Sequence, residues 1–104
     1  MKLITKAIET LIKTYPLYSQ DGKGDEAVVI AKFFLPGTNW TWYATEGSFT
    51  DDGNIEFFGL VTGYFSELGY FTLSSLEGAR SPWGLKVERD LHWNGTIGDA
   101  RKEG

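Results

Sequence analysis

The densest group of residues able to do chemistry is Glu88-Arg89-Asp90-Leu91-His92. In an extended segment Glu88, Asp90 and His92 point to one side and Arg89 and Leu91 to the other. Two carboxylates and an imidazole on one face suit divalent-metal binding or proton transfer. His92 is the only histidine, and so the only side chain with an ordinary pKa near neutrality. The plainer role for this cluster is structural, with Arg89 pairing an acid such as Glu67, which interrupts the apolar run 67–71. A small-ligand site or an enzyme would need Glu67, Glu88, Arg89, Asp90 and His92 to converge on a pocket. No metal, cofactor or catalytic residue is assigned, because metal sites draw ligands from several segments and none is specified here.

Other catalytic patterns are missing. There is no cysteine, hence no thiol nucleophile, cysteine zinc site or disulfide framework. Gly22 and Gly24 are too sparse for a phosphate loop. Ser48, Ser66, Ser74, Ser75 and Ser81 lack the context of a hydrolase nucleophile.

The charge layout is more informative. No lysine or arginine lies between Lys32 and Arg80, while Glu46, Asp51, Asp52, Glu56, Glu67 and Glu77 do. That block carries −6. The flanks hold ten bases and eight acids, or +2, which gives the chain its −4. An acidic face of this kind steers a basic partner. Its bland reading is solubility and protection of a sheet edge. The balance argues against direct nucleic-acid binding, which leaves a basic footprint. The aromatics Trp40, Trp42, Tyr43, Phe57, Phe58, Tyr64, Phe65, Tyr70 and Phe71 are mostly expected in the core, with a few on an outer contact face.

The elements that must position these residues read as an α+β domain. Leu3, Ile4, Ala7, Ile8, Leu11 and Ile12 recur at helical spacing, and Pro16 closes that helix. Strands are predicted over 27–35, 40–46, 55–62 and 64–71, with turns at 36–39 and 50–54 and a bend at Gly63. Thr72 or Ser74 caps a short second helix to Ala79. Residues 86–93 form a last extended segment. Short links favour a small, meander-like antiparallel sheet of four to five strands with helix on one face. The 104 residues make one domain over 1–93, with 94–104 a loose tail holding one sizeable apolar residue. No stretch is long and apolar enough for a membrane span, and the start is not a signal peptide, so a cytoplasmic protein is expected.

The runs Gly24-Asp25 to Phe34, Trp40-Thr41-Trp42-Tyr43, Phe58-Gly59-Leu60-Val61, Glu67-Leu68-Gly69-Tyr70-Phe71-Thr72-Leu73 and Glu88-Arg89-Asp90-Leu91 resemble the uncharacterised bacterial proteins grouped as domain of unknown function 2958. The likeness runs from the first helix to about Trp93. It brings no activity, cofactor or catalytic residue. It implies that Glu67 and Glu88-Arg89-Asp90 belong to a family pattern. Since members are often carried on plasmids, integrative elements and phages, it also implies a mobile-element role, such as blocking a host defence or helping transfer and maintenance. The expectation is a small non-enzymatic interaction protein. One form is an anti-defence inhibitor that presents the acidic face to a nucleic-acid-binding host protein. The alternatives are a small-ligand protein or enzyme, and a regulatory or accessory subunit that dimerises through an exposed strand or aromatic patch.

Overall fold

A computed structural model of the chain describes residues 2–103. Helix α1 (Lys6–Thr14) starts where the Thr5 side chain accepts the Ile8 N–H and buries Ile8 and Ile12. Strands β1 (Ala31–Phe34), β2 (Thr41–Phe49), β3 (Ile55–Thr62) and β4 (Ser66–Thr72) follow. Helix α2 (Leu73–Gly78) then begins at Thr72, whose hydroxyl and Ser75 form a reciprocal capping box. A two-residue β5 (Glu88–Arg89) and helix α3 (Ile97–Glu103) complete the order. The sheet is antiparallel throughout, in the order β4-β3-β2-β1-β5. The α+β meander with an N-terminal and a short second helix is therefore as the sequence predicts.

Strand alternation divides the side chains between two layers. Ala31, Phe33, Ala44, Ile55, Phe57 and Phe71 face α1 and α2 and pack with Ile8, Ile12 and Leu76. Tyr43 and Leu60 point the other way, onto Ala27, Ile97 and Ala100. The second layer corrects the expected loose tail: residues 97–103 are helical and cover the sheet. Thr96 and Asp99 hold the start of α3 reciprocally. The Thr96 N–H donates to Asp99 Oδ2 at 2.9 Å, and the Asp99 N–H to Thr96 Oγ1 at 3.3 Å. Two apolar residues suffice because α3 buries only one stripe.

Two strands are shorter than expected. Before β1, Val28 leaves the sheet to make a single bridge with Thr96. After Arg89 the chain turns, because Asp90 accepts the N–H groups of His92 and Trp93. Inside β2 the register slips between Ala44 and Glu46, leaving Thr45 as an extra residue. The bulge brings backbones so close that a Cβ on Gly59 would lie 1.9 Å from the Tyr43 carbonyl oxygen.

Candidate functional site

The five residues of the predicted polar cluster do not converge. Glu67 lies on β4 and Glu88 and Arg89 on β5, at opposite edges of the sheet. Arg89 packs toward the N-terminal segment, donating to the carbonyls of Lys2 at 2.7 Å and Leu3 at 2.8 Å. The expected Glu67–Arg89 pair is thus replaced by a tie between β5 and the start of the chain. His92 is exposed beyond the strand. Only Asp90 turns inward, toward Lys32. Among the described residues no three His, Asp or Glu side chains gather to hold a metal ion.

The six acids of the base-free block are also separated. Glu46 is 2% exposed, and its carboxylate accepts the N–H of Tyr18 at 2.7 Å and of Gln20 at 2.8 Å. It is a loop anchor inside the protein. The bulge at Thr45 sends it to the face opposite Ala44. Asp51 and Asp52 occupy the β2–β3 turn, where the Thr50 hydroxyl and the Asn54 N–H hold the Asp52 carboxyl below its ordinary value. Glu56 pairs with Thr72 and Glu67 with Val61, which sets these two acids on opposite faces. Glu77 shares a cleft with Lys2 and Lys86.

A different charged group is assembled instead. Lys32 Nζ lies 3.4 Å from Asp90 and 3.2 Å from Glu103, and within 5.4 and 5.5 Å of the Tyr43 and Trp93 ring centres. The Trp93 indole N–H donates to Glu103. Burial alone would lower the Lys32 pKa, but Tyr43, Glu103 and Asp90 outweigh it and raise it above 10.5. Tyr43 is raised as well, first by its burial. Asp90 is lowered, first by the His92 N–H and then by Lys32. A lysine held protonated is no nucleophile, and a phenol pushed up is no base at neutral pH. The group clamps α3 to the sheet beside a polar basin of about 470 Å³, which Thr41, Thr62 and Ser66 help to line.

The most exposed apolar surface lies where the β1–β2 and β3–β4 turns meet. Tyr64 is 85% exposed, Phe65 78% and Trp83 73%. A tight turn closed by the Gly63 N–H to the Phe65 carbonyl at 3.0 Å raises the first two off the sheet. Trp40 stacks on Trp42 at 6.2 Å and meets the Tyr64 ring edge-on at the same distance. It lies flat over Gly63, where a Cβ would come within 2.7 Å of the indole. Trp40, Tyr64, Pro82 and Trp83 line a cleft of about 390 Å³, with Arg80 at its wall. Arg80 donates to the Glu77 and Ala79 carbonyls, and among the described residues it makes no ion pair. The cleft can take an apolar side chain and offer a cation to a carboxylate beside it.

In the sequence Trp40, Tyr64 and Phe65 fall among aromatics expected mostly in the core with a few, not singled out, on an outer contact face, while Trp83, Lys32 and Glu103 are not site candidates. The adjacent aromatic pair Tyr64-Phe65 directly after Gly63 was the available signal, since neighbours in a tight turn cannot both face inward. The family model described as "Protein of unknown function (DUF2958)" matches residues 3–98, which extends the resemblance beyond Trp93. No curated protein and no solved structure matches the chain.

Proposed function

The chain belongs to the DUF2958 family, and from that premise we propose that it is a small non-enzymatic interaction protein that holds a partner protein in the aromatic cleft. The observation that carries this reading is the exposure of Tyr64 and Trp83 at a formed cleft, with Phe65 exposed next to Tyr64. Large apolar side chains gathered in the open mark contact surfaces, whereas single ones do not. The partner segment supplies an apolar anchor for the cleft and a carboxylate for Arg80. The protonated Lys32 and the dispersal of Glu67, Arg89 and His92 weigh against an enzyme. The setting we propose is a cytoplasmic protein of a mobile genetic element that blocks a host defence; the family resemblance supports the mobile-element setting, and the dispersal of the acids leaves a nucleic-acid-binding target without support. No helix among the described residues is long and apolar enough to cross a membrane.

The test is co-purification from the native host with three versions of the protein. The wild type and an Asp51→Asn/Asp52→Asn/Glu56→Gln variant are expected to retain one stoichiometric partner. The Tyr64→Ala/Phe65→Ala/Trp83→Ala variant, shown to be folded by circular dichroism, is expected to lose it. Loss in the acid variant alone would assign the contact to an acidic surface. Absence of a partner in all three would remove the interaction reading.

A further inference from the structure

The two edges of the sheet are finished differently. β5 is two residues long, while β4 runs for seven at the opposite edge. A long open edge offers a row of unpaired N–H and C=O groups, which proteins commonly shorten, charge or cover. β4 carries one charge, Glu67. On its other face Leu68 and Tyr70 are 50% and 54% exposed.

Two further features lie on or beside this strand. Tyr18 has a φ of +74°, a conformation that non-glycine residues rarely adopt. The buried Glu46 carboxylate holds it there through its N–H. The result is an exposed tyrosine whose phenol sits beside that of Tyr70. Gly69, in the middle of β4, has no internal reason to be glycine. Its φ is not positive, and a Cβ there would meet nothing within 4 Å. Glycine in a strand interior weakens the strand, and it often marks the close approach of another backbone.

We propose that β4 pairs antiparallel with β4 of a second copy of this chain, about a two-fold axis through Gly69. This register sets Leu68 of each copy opposite Tyr70 of the other, an isologous apolar contact made twice. Glu67 falls opposite Phe71, so no carboxylate faces another. The two Glu67 residues stand four strand positions apart, roughly 13 Å, which is beyond the screening length at physiological salt. Centring on Glu67 would oppose the two acids. Centring on Leu68 would set Tyr70 against Ser66, and centring on Tyr70 would set Leu68 against Thr72. The Gly69 register alone matches both apolar pairs. It leaves Tyr64 and Phe65 at opposite ends of the joined strands, so this pairing is independent of the function proposed above.

The test uses the full chain, which has no cysteine of its own. Directly opposed Cα atoms of an antiparallel pair lie about 4.5–5.5 Å apart, within the range a disulfide spans. Light scattering across a concentration series is expected to show twice the chain mass. Gly69→Cys is expected to crosslink into dimers on mild oxidation, and Asp52→Cys, in the distant β2–β3 turn, is not. Leu68→Lys/Tyr70→Lys, with both sites half exposed and the fold checked by circular dichroism, is expected to weaken self-association by about tenfold or more. A monomer at the highest concentration overturns the proposal. So does a dimer that crosslinks no better at position 69 than at position 52, or one indifferent to the lysine pair. Crosslinking at position 69 to a different protein instead of a second copy overturns it too.

Discussion

At the residue scale, Glu46 is the clearest case of one side chain setting a whole segment. Its two oxygens take the N–H groups of Tyr18 and Gln20. Gln20 is itself buried, with its side chain bonded to Val28 and Thr45. The loop before β1 thus closes onto β2 through one carboxylate and one amide. Hydrogen bonds to a charged acceptor contribute about 1.5–3 kcal/mol each, and unmatched buried donors carry a further penalty. Glu46→Ala is expected to lower unfolding free energy by about 3 kcal/mol, read from the urea midpoint. Glu46→Gln keeps one acceptor and turns an NH₂ toward a donor, so it should lose somewhat less. A cost below about 0.5 kcal/mol, the range of an ordinary surface acid, would show that Glu46 is no anchor.

At the element scale, α3 stays on the sheet through Ile97, Ala100 and the charges around Lys32. Lys32 and Tyr43 are both raised above their ordinary values of 10.5 and 10.0. A group that is raised on folding binds its proton more tightly in the folded protein. Its contribution is therefore complete below the ordinary value and is lost as pH rises through the raised one. Urea midpoints are expected to hold steady from pH 7 to about 9.5 and to fall above about pH 10. Lys32→Met should flatten part of that fall, and an unchanged alkaline profile in the variant would remove Lys32 from the account. Much of this architecture is legible in the sequence. The 3–12 periodicity, the hydroxyl at Thr72 and the turn residues give α1, α2 and the meander. The bulge at Thr45 is not legible, since simple alternation puts Glu46 on the same face as Ala44. Nor is α3 apparent, because two apolar residues look like a tail until Thr96 and Asp99 are seen as a reciprocal cap. The site was the least legible part. Glu67 and Arg89 look like partners until the strand order sets them at opposite edges. Tyr64 and Phe65 look like core residues until a tight turn lifts them out.

At the scale of the whole molecule, the question is whether the −6 block acts as one field. Fields steer partners when like charges line one cleft. Here Glu46 is inside, Asp51, Asp52 and Glu56 gather toward the β2–β3 turn, Glu67 sits on the free edge, and Glu77 shares its cleft with two lysines. The aromatic cleft is at the other end of β3, with the cation Arg80. A contact made there depends mainly on buried apolar area, which salt does not screen, and on at most one ion pair, which it does. Affinity for the co-purified partner, followed by titration calorimetry, should therefore change by no more than about threefold between about 0.05 and 0.5 M salt. A partner that engaged the acids instead would rest on several screened ion pairs and lose affinity by about tenfold or more over the same range. A steep loss would thus return the contact to the acidic turn and leave Tyr64, Phe65 and Trp83 without a role in it. A flat profile joined to loss of binding in the aromatic triple variant would fix the contact at the cleft, because neither result alone separates an apolar interface from one whose few charges happen to be buried.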